Sequence, residues 1–371
     1  MRLAITLPHS VTIAAGRIWA PSKTLIGTEE FAKHWPGETA LVATVHDDIH
    51  YADGQDHREL ATLPYEFIPT KDRVKTLRDL SSDVVLSSMA LADREILAHV
   101  GDIPIVVNVE NPLTNRVRWG ALTAESRFSA SRIAIGEAKK EPGLRRTFHR
   151  AAGLQCNGFP GWKSYHRLNS RSLLYFDSRV PHTMVTDALH EEGAAFNIAF
   201  SGRWLRPKGF DAAIAAFRKA RELSSRPISL HLFGDGPMRG EVDLDMPGIV
   251  DHGSLDFHTE WLPYFQRHVD LIVLPHRQSD PAGTYLEAAA CGVPFASFAN
   301  GTATPLARRG LGWTCRMNDI DTMARLVAEL AMHPEQLAPR RRAGVRFMLE
   351  HSMEREFSRR CQHLVTCSRT R

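Results

Sequence analysis

Short apolar runs of strand length recur along the chain, separated by longer stretches whose apolar residues fall at helical spacing. In the first half the runs cover residues 3–7, 41–45, 84–86, 105–109, 154–157 and 173–176. In the second they cover 197–201, 228–233, 249–250, 271–274 and 294–297, with a Gly310-Leu311-Gly312 turn after them. Continuous apolar runs alternating with amphipathic segments predict parallel strands covered by helices on both faces. The rhythm lapses over 188–196, ALHEEGAAF, which predicts a linker between two α/β domains, 1–188 and 189–345. From about residue 320 the chain reads as helical and charged; it ends in one long amphipathic segment, 336–364, within a third piece, 346–371.

The stretch DLIVLPHRQSDPAGTYLEAAACGVP, residues 270–294, organises the second half. Its apolar run stops at Pro275, passes through a polar loop with Asp280, Pro281 and Gly283, and re-enters a helix-forming segment at 285–290. In open α/β sheets ligands sit outside the carboxyl ends of the strands, where a helix amino terminus offers free N–H groups to an anion. Gly283 and Thr284 would form such a cradle. Glu287, one turn further, suits a sugar hydroxyl and would repel a phosphate, so the pair suggests a ligand with both groups, as in a nucleotide-sugar. An ordinary βα unit with Glu287 solvated fits the same residues.

The run 197–201 leads into Gly202-Arg203-Trp204-Leu205-Arg206-Pro207-Lys208-Gly209. Arg203 and Lys208 flank one loop at a strand's carboxyl end, where two cations facing a helix start make a diphosphate clamp. The spacing is not that of a phosphate-binding P-loop, and a strict GxGxxG is absent after the first strand, where Gly16 is the residue that lets backbone approach a ligand. Gly234-Asp235-Gly236-Pro237 reads equally as a tight βα connection or as a turn beside a nucleotide. In the first half His46, Asp47 and Asp48 follow one strand, and Glu110 with Asn111 follows another; turn chemistry and substrate contact are both open for them.

A length of 371 residues, 43% hydrophobic and 24% charged, is that of a globular protein of about two domains. The net charge of +4 favours anionic ligands, and the chain shows no nucleic-acid-binding module. Arginines gather at Arg116 and Arg118, at Arg145, Arg146 and Arg150, and at Arg340, Arg341, Arg342 and Arg346. Such groups serve either as solvated helix faces or as contacts to anionic lipid headgroups or an acidic acceptor. Five scattered cysteines without CxxC spacing read as reduced thiols, and no membrane span or signal peptide is evident, so a cytoplasmic location is expected, with peripheral contact at the inner face of a membrane. No metal-ligand cluster stands out.

Taken together, Gly202-Arg203 with Lys208-Gly209, the Gly-Asp-Gly-Pro turn, Leu274-Pro275, and Gly283 with Leu286-Glu287-Ala288 and Gly292-Val293-Pro294 resemble the retaining glycosyltransferases of family 4. The motifs run in the family's order across about 197–330. The resemblance implies a GT-B fold: two Rossmann-like doubly wound domains facing a cleft, an acceptor-binding one first and a donor-binding one second, with a final helix crossing back to the first. It implies a hexosyltransferase of polysaccharide or glycoconjugate biosynthesis, moving a sugar from a nucleoside-diphosphate-sugar co-substrate to a glycan, glycolipid or small-molecule hydroxyl with retention, and no metal or other cofactor. Arg203 and Lys208 would bind the diphosphate, Gly283 and Thr284 would add amides, and Glu287 would hold the ribose. Gly16, Gly234 and Val250 would complete the donor site, and Glu110 would position the acceptor. A phosphate oxygen would take the acceptor's proton. The family's first glutamate falls on Ser279 by count and on Asp280 by alignment at Gly283, and its paired amino-terminal glycines are reduced to Gly16. Two other readings fit: an inverting transferase or nucleotide-sugar epimerase with Asp47 or Glu110 as base, and a non-catalytic nucleotide-sugar-binding protein.

Overall fold

The computed structural model describes residues 1–46, 55–88, 96, 98, 102–186, 193–281 and 283–369. The chain forms two compact units: Met1–Pro112, Ala138–Phe176 and Glu354–Arg371 make the first, Leu113–Glu137 and Asp177–Met353 the second. The division therefore falls elsewhere than at 188–189 or 345–346. Residues 113–137 go with the second unit, and only the last helix goes with the first.

The first unit holds a parallel sheet of seven strands: β1 (Arg2–Thr6), β4 (Glu38–Ala43), β7 (Glu66–Pro69), β8 (Val84–Ser88), β9 (Ile105–Val109), β10 (Gly153–Asn157) and β11 (Ser172–Tyr175). Its order is β11-β10-β9-β8-β1-β4-β7. The sequence pattern missed a second sheet in this unit, ordered β5-β2-β3-β6, made of β2 (Val11–Ala14), β3 (Arg17–Pro21), β5 (Val45–His46) and β6 (Gln55–Glu59). Strands β2 and β3 form an antiparallel hairpin whose turn residues Ala15 and Gly16 have φ of 49° and 74°. Positive φ at both central positions is the demand of a tight hairpin turn. Gly16 thus closes a hairpin, with open space where a Cβ would stand.

The helix Met353–Ser368 packs within the first unit. Phe357 meets Phe31 edge-on with centroids 5.0 Å apart, and the buried Arg360 donates to Gln155 Oε1 at 2.8 Å while its guanidinium lies 4.1 Å from the Tyr175 ring. The expected single segment 336–364 is in fact two helices, Leu337–Glu350 and Met353–Ser368, separated at His351 and the buried Ser352.

The second unit holds six parallel strands: β12 (Phe196–Ser201), β13 (Ile228–Phe233), β14 (Ile249–Gly253), β15 (Leu271–Leu274), β16 (Phe295–Phe298) and β17 (Gly312–Cys315). The last begins inside the expected Gly310–Gly312 turn. Their order, β14-β13-β12-β15-β16-β17, steps outward from β12 in one direction and then reverses from β15. That reversal is the topological switch point of a doubly wound sheet, where two loops diverge and leave room for a ligand. On one face the helices Phe210–Leu223 and Ile320–Met332 pack together; Phe210, Ala213, Ile214 and Phe217 of the former are buried at helical spacing over Ile198, Leu230 and Leu271.

Candidate functional site

The two loops that diverge at the switch point, after β12 and after β15, carry the residues singled out in the sequence. Leaving β12, Gly202 has a φ of +137° and faces open space where a Cβ would stand. Trp204 then buries completely and stacks on Phe210 at 4.4 Å, anchoring the loop. The turn Arg206–Lys208 ends at Gly209, whose φ is +74° and where a Cβ would lie 2.0 Å from the Pro275 carbonyl oxygen. Only glycine lets the two loops touch there. The Gly234 turn packs against this loop, since a Cβ on Gly234 would meet the Gly202 carbonyl at 2.3 Å and Trp204 N donates to Asp235 O at 2.9 Å.

This approach delivers Lys208 to the β15 loop, where its ammonium donates to Asp280 Oδ2 at 2.6 Å. Burial alone would raise the Asp280 pKa, but the Lys208 charge outweighs it and holds the carboxyl below its ordinary range. His276 beside it is fully buried and pushed down to about 3, by desolvation first and the Lys208 charge second, so it is neutral. Among the described residues, Asp280 Oδ1, His276 Nδ1 and Gln278 Nε2 are buried and make no hydrogen bond of ordinary geometry, although Gln278 stands near enough to Asp280 to help hold its carboxyl down. Three such atoms on five consecutive residues are exceptional in a native fold, where buried polar groups are paired.

The loop itself is fixed. Asn115, on the helix Leu113–Thr123, donates to Ser279 O at 2.5 Å; Thr302 Oγ1 donates to Asp280 O at 2.8 Å; and Ser279 Oγ accepts from Gly301 N at 2.8 Å. Ser279 thus holds the loop, whereas the Asp280 carboxylate points at Lys208. Arg277 takes both carboxylate oxygens of Asp211, at 2.6 and 2.8 Å.

Gly283 leads into the helix Thr284–Ala290, its carbonyl accepting from Leu286 N and Glu287 N. Glu287 is buried and bonded through Oε1 to Arg179 Nε at 2.9 Å, and the Arg179 guanidinium lies 3.9 Å from the Phe257 ring centroid. Phe257 opens a π-helical turn, Phe257–Trp261, whose Trp261 Nε1 donates to Ser201 Oγ at the end of β12. Sequence reasoning missed Arg179, which lies in an irregular segment with no periodic pattern. It also missed Asn115.

Other expected residues stand apart from this cluster. Arg203 is exposed, its guanidinium 5.9 Å from the Trp119 centroid. Val250 is 41% exposed on the edge strand β14, opposite His231. Glu110 is exposed directly after β9 in the first unit. Asp47 and Asp48 lie outside the described residues. Of the basic groups, Arg116 pairs with Glu137 at 2.6 Å, Arg340 stacks 4.2 Å from Trp313, and Arg341 reaches the buried Asp270 at 3.3 Å. All five cysteines are buried and unbridged. Among the described residues no group of three or more His, Cys, Asp or Glu could hold a metal, and no helix is long and apolar enough to cross a membrane.

Residues 195–333 match the family model described as glycosyl transferases group 1. No curated protein sequence matches the chain. Among solved structures, HepE (Alr3699) of Anabaena in complex with UDP is similar over 99% of this chain and 100% of its own, with a TM-score of 0.65 at 11% identity. WaaG, a glycosyltransferase involved in lipopolysaccharide biosynthesis, is similar over 98% and 99%, with a TM-score of 0.63 at 11% identity. OtsA without ligand is similar over the whole of both chains, with a TM-score of 0.64 at 9% identity. At such identities the likeness speaks for the two-domain GT-B architecture. The group 1 domain, whose bounds enclose both loops of the switch point, adds the chemistry: the chain is a glycosyltransferase.

Proposed function

We propose that the enzyme moves a hexose-type sugar from a nucleoside-diphosphate donor to a hydroxyl of a glycan, glycolipid or small molecule, with retention of anomeric configuration. The observation that carries this reading is the Lys208–Asp280 contact at the switch point, between the two loops that touch at Gly209 and Pro275. An ammonium has three N–H donors, and Asp280 takes one, so two remain for diphosphate oxygens. The solved HepE complexes with UDP and with UDP-glucose support a uridine nucleotide as the first donor to try.

In this reading Lys208 and the solvent-facing Arg203 stabilise the charge that builds on the leaving diphosphate, an interaction stronger in the transition state than in the ground state. Amides at Gly283 and Thr284 add to it, and Glu287, oriented by Arg179, takes the ribose hydroxyls. Gly234 brings bare backbone beside Gly202, Val250 borders the base, and Glu110 in the first unit positions the acceptor. Gly16 has no part. The test is thermal unfolding against a panel of UDP-, GDP- and ADP-sugars. A ligand bound only to the folded state stabilises it by RT ln(1 + [L]/Kd), about 3 kcal/mol at a hundredfold excess over Kd. One nucleotide series should raise the midpoint and then support turnover to a product with the donor's anomeric configuration. No stabilisation by any member would remove the reading.

A further inference from the structure

The helix Leu113–Thr123 falls within 1–188, the stretch expected to bind the acceptor, yet in the fold it belongs to the second unit. Asn115 and Trp119 lie four residues apart and therefore share one face. Asn115, only 4% exposed, donates to Ser279 O at 2.5 Å, one residue before Asp280. The Trp119 ring stands 5.9 Å from the exposed Arg203 guanidinium. The same helix packs against the turn Arg206–Lys208, which carries Lys208. One helix thus touches the segments that bear Arg203, Lys208 and Asp280. A second face, rotated about 100° from the first, braces it: Arg116 pairs with Glu137 at 2.6 Å, and Gly120 sits against Ile133 with no room for a Cβ.

The two grips differ in chemistry, and each leaves the charged group it serves free for a ligand. Asn115 takes a backbone carbonyl, so it fixes the β15 loop without competing for the Asp280 carboxylate. Trp119 offers a π face to the guanidinium, which narrows the rotamers of a long side chain without taking its N–H fork. We propose that this helix is a positioning element of the donor site: Asn115 sets the loop of Asp280, and Trp119 aims Arg203, so that both cations meet one diphosphate. The inference rests on the nucleoside-diphosphate reading above and adds two residues to it.

Titration calorimetry of the intact protein with UDP, GDP and ADP, with no acceptor present, tests this. Trp119→Leu should weaken the nucleotide that binds wild type by about two- to fivefold, the factor of an exposed cation–π contact, and Trp119→Phe should recover most of the loss. In an Arg203→Ala background Trp119→Leu should change nothing further; a loss that simply adds would make Trp119 a packing residue and overturn its role. Asn115→Ala should weaken the same nucleotide about fivefold, the worth of one net hydrogen bond. On the wild-type protein the nucleotide alone should slow amide exchange across 113–123, a readout that does not depend on any variant folding. Equal affinity in wild type and both single variants, or unchanged exchange across 113–123, would overturn the inference and leave the nucleotide reading standing. Binding of no nucleotide by wild type would remove both.

Discussion

Lys208 is already neutralised before any donor arrives, because Asp280 holds its ammonium at 2.6 Å with both side chains largely buried. Removing one partner of such a pair leaves the other's charge stranded, which costs more than the pair itself contributes. Lys208→Ala should therefore lower turnover about 10²–10³-fold, the scale of one transition-state donor, and also lower the thermal midpoint. Adding Asp280→Ala should recover much of the midpoint and none of the turnover. Equal loss of midpoint in the single and double variants would mean that the pair is not coupled. At Glu287 the same logic predicts that Arg179→Ala costs roughly 2 kcal/mol by exposing a buried carboxylate to solvent-free surroundings, and raises KM for the donor more than it lowers kcat. Urea unfolding and initial rates read both. Lys208 and Asp280 were legible in the sequence because they lie in the loops just past β12 and β15, whose apolar runs give their position away, and Glu287 because it sits in the first turn of the helix that follows the second loop. Arg179 was not: its partner is 287 − 179 = 108 residues on, and nothing local marks it.

Elements follow the same division between local and distant signals. The strands Ile105–Val109, Ile228–Phe233 and Leu271–Leu274 stand at the bounds the apolar runs predicted, since a parallel strand buried on both faces is a continuous apolar word. The hairpin of VTIA and RIWAP with its partner QDHRE was invisible, because short antiparallel strands with mixed faces carry no such word. The long carboxy-terminal segment misled in the opposite way: amphipathic spacing continues on both sides of Ser352, and only burial of that residue shows the break. Gly209 is the element-scale hinge of the site, joining the turn Arg206–Lys208 to the helix Phe210–Leu223 at a left-handed φ against Pro275. Gly209→Ala is expected to cost more than the ~1 kcal/mol of an ordinary left-handed substitution, because the added Cβ also pushes the two loops apart. The variant should lose the Lys208–Asp280 coupling that the single and double variants read. Wild-type coupling in Gly209→Ala would show that the loops approach for another reason.

At the scale of the whole molecule, acidity tests whether the second unit's buried histidines govern stability. His276 is pushed down to about 3 by burial and then by Lys208, and His231 to about 4 by burial and then by the His252 charge. His231 is held in place by Tyr264 OH at 2.9 Å and His252 Nε2 at 3.0 Å on its Nδ1. As pH falls below 6.5 the unfolded chain binds protons at both positions and the folded chain does not, so the stability is present above that value and is lost as pH falls toward 4. Asp280 acts in the same direction lower down, its depressed carboxyl giving stability that disappears as pH falls through its folded value. Between pH 6.5 and 5 each histidine should cost on the order of 2 kcal/mol of unfolding free energy. His231→Gln removes one of the two protons without removing hydrogen-bonding capacity. Its deficit against wild type, measured by urea unfolding, should shrink or reverse between pH 7 and 5. Parallel curves for the two proteins would mean that His231 takes up its proton in the folded state, and that the cluster of His231, His252 and Tyr264 opens to water well above pH 4.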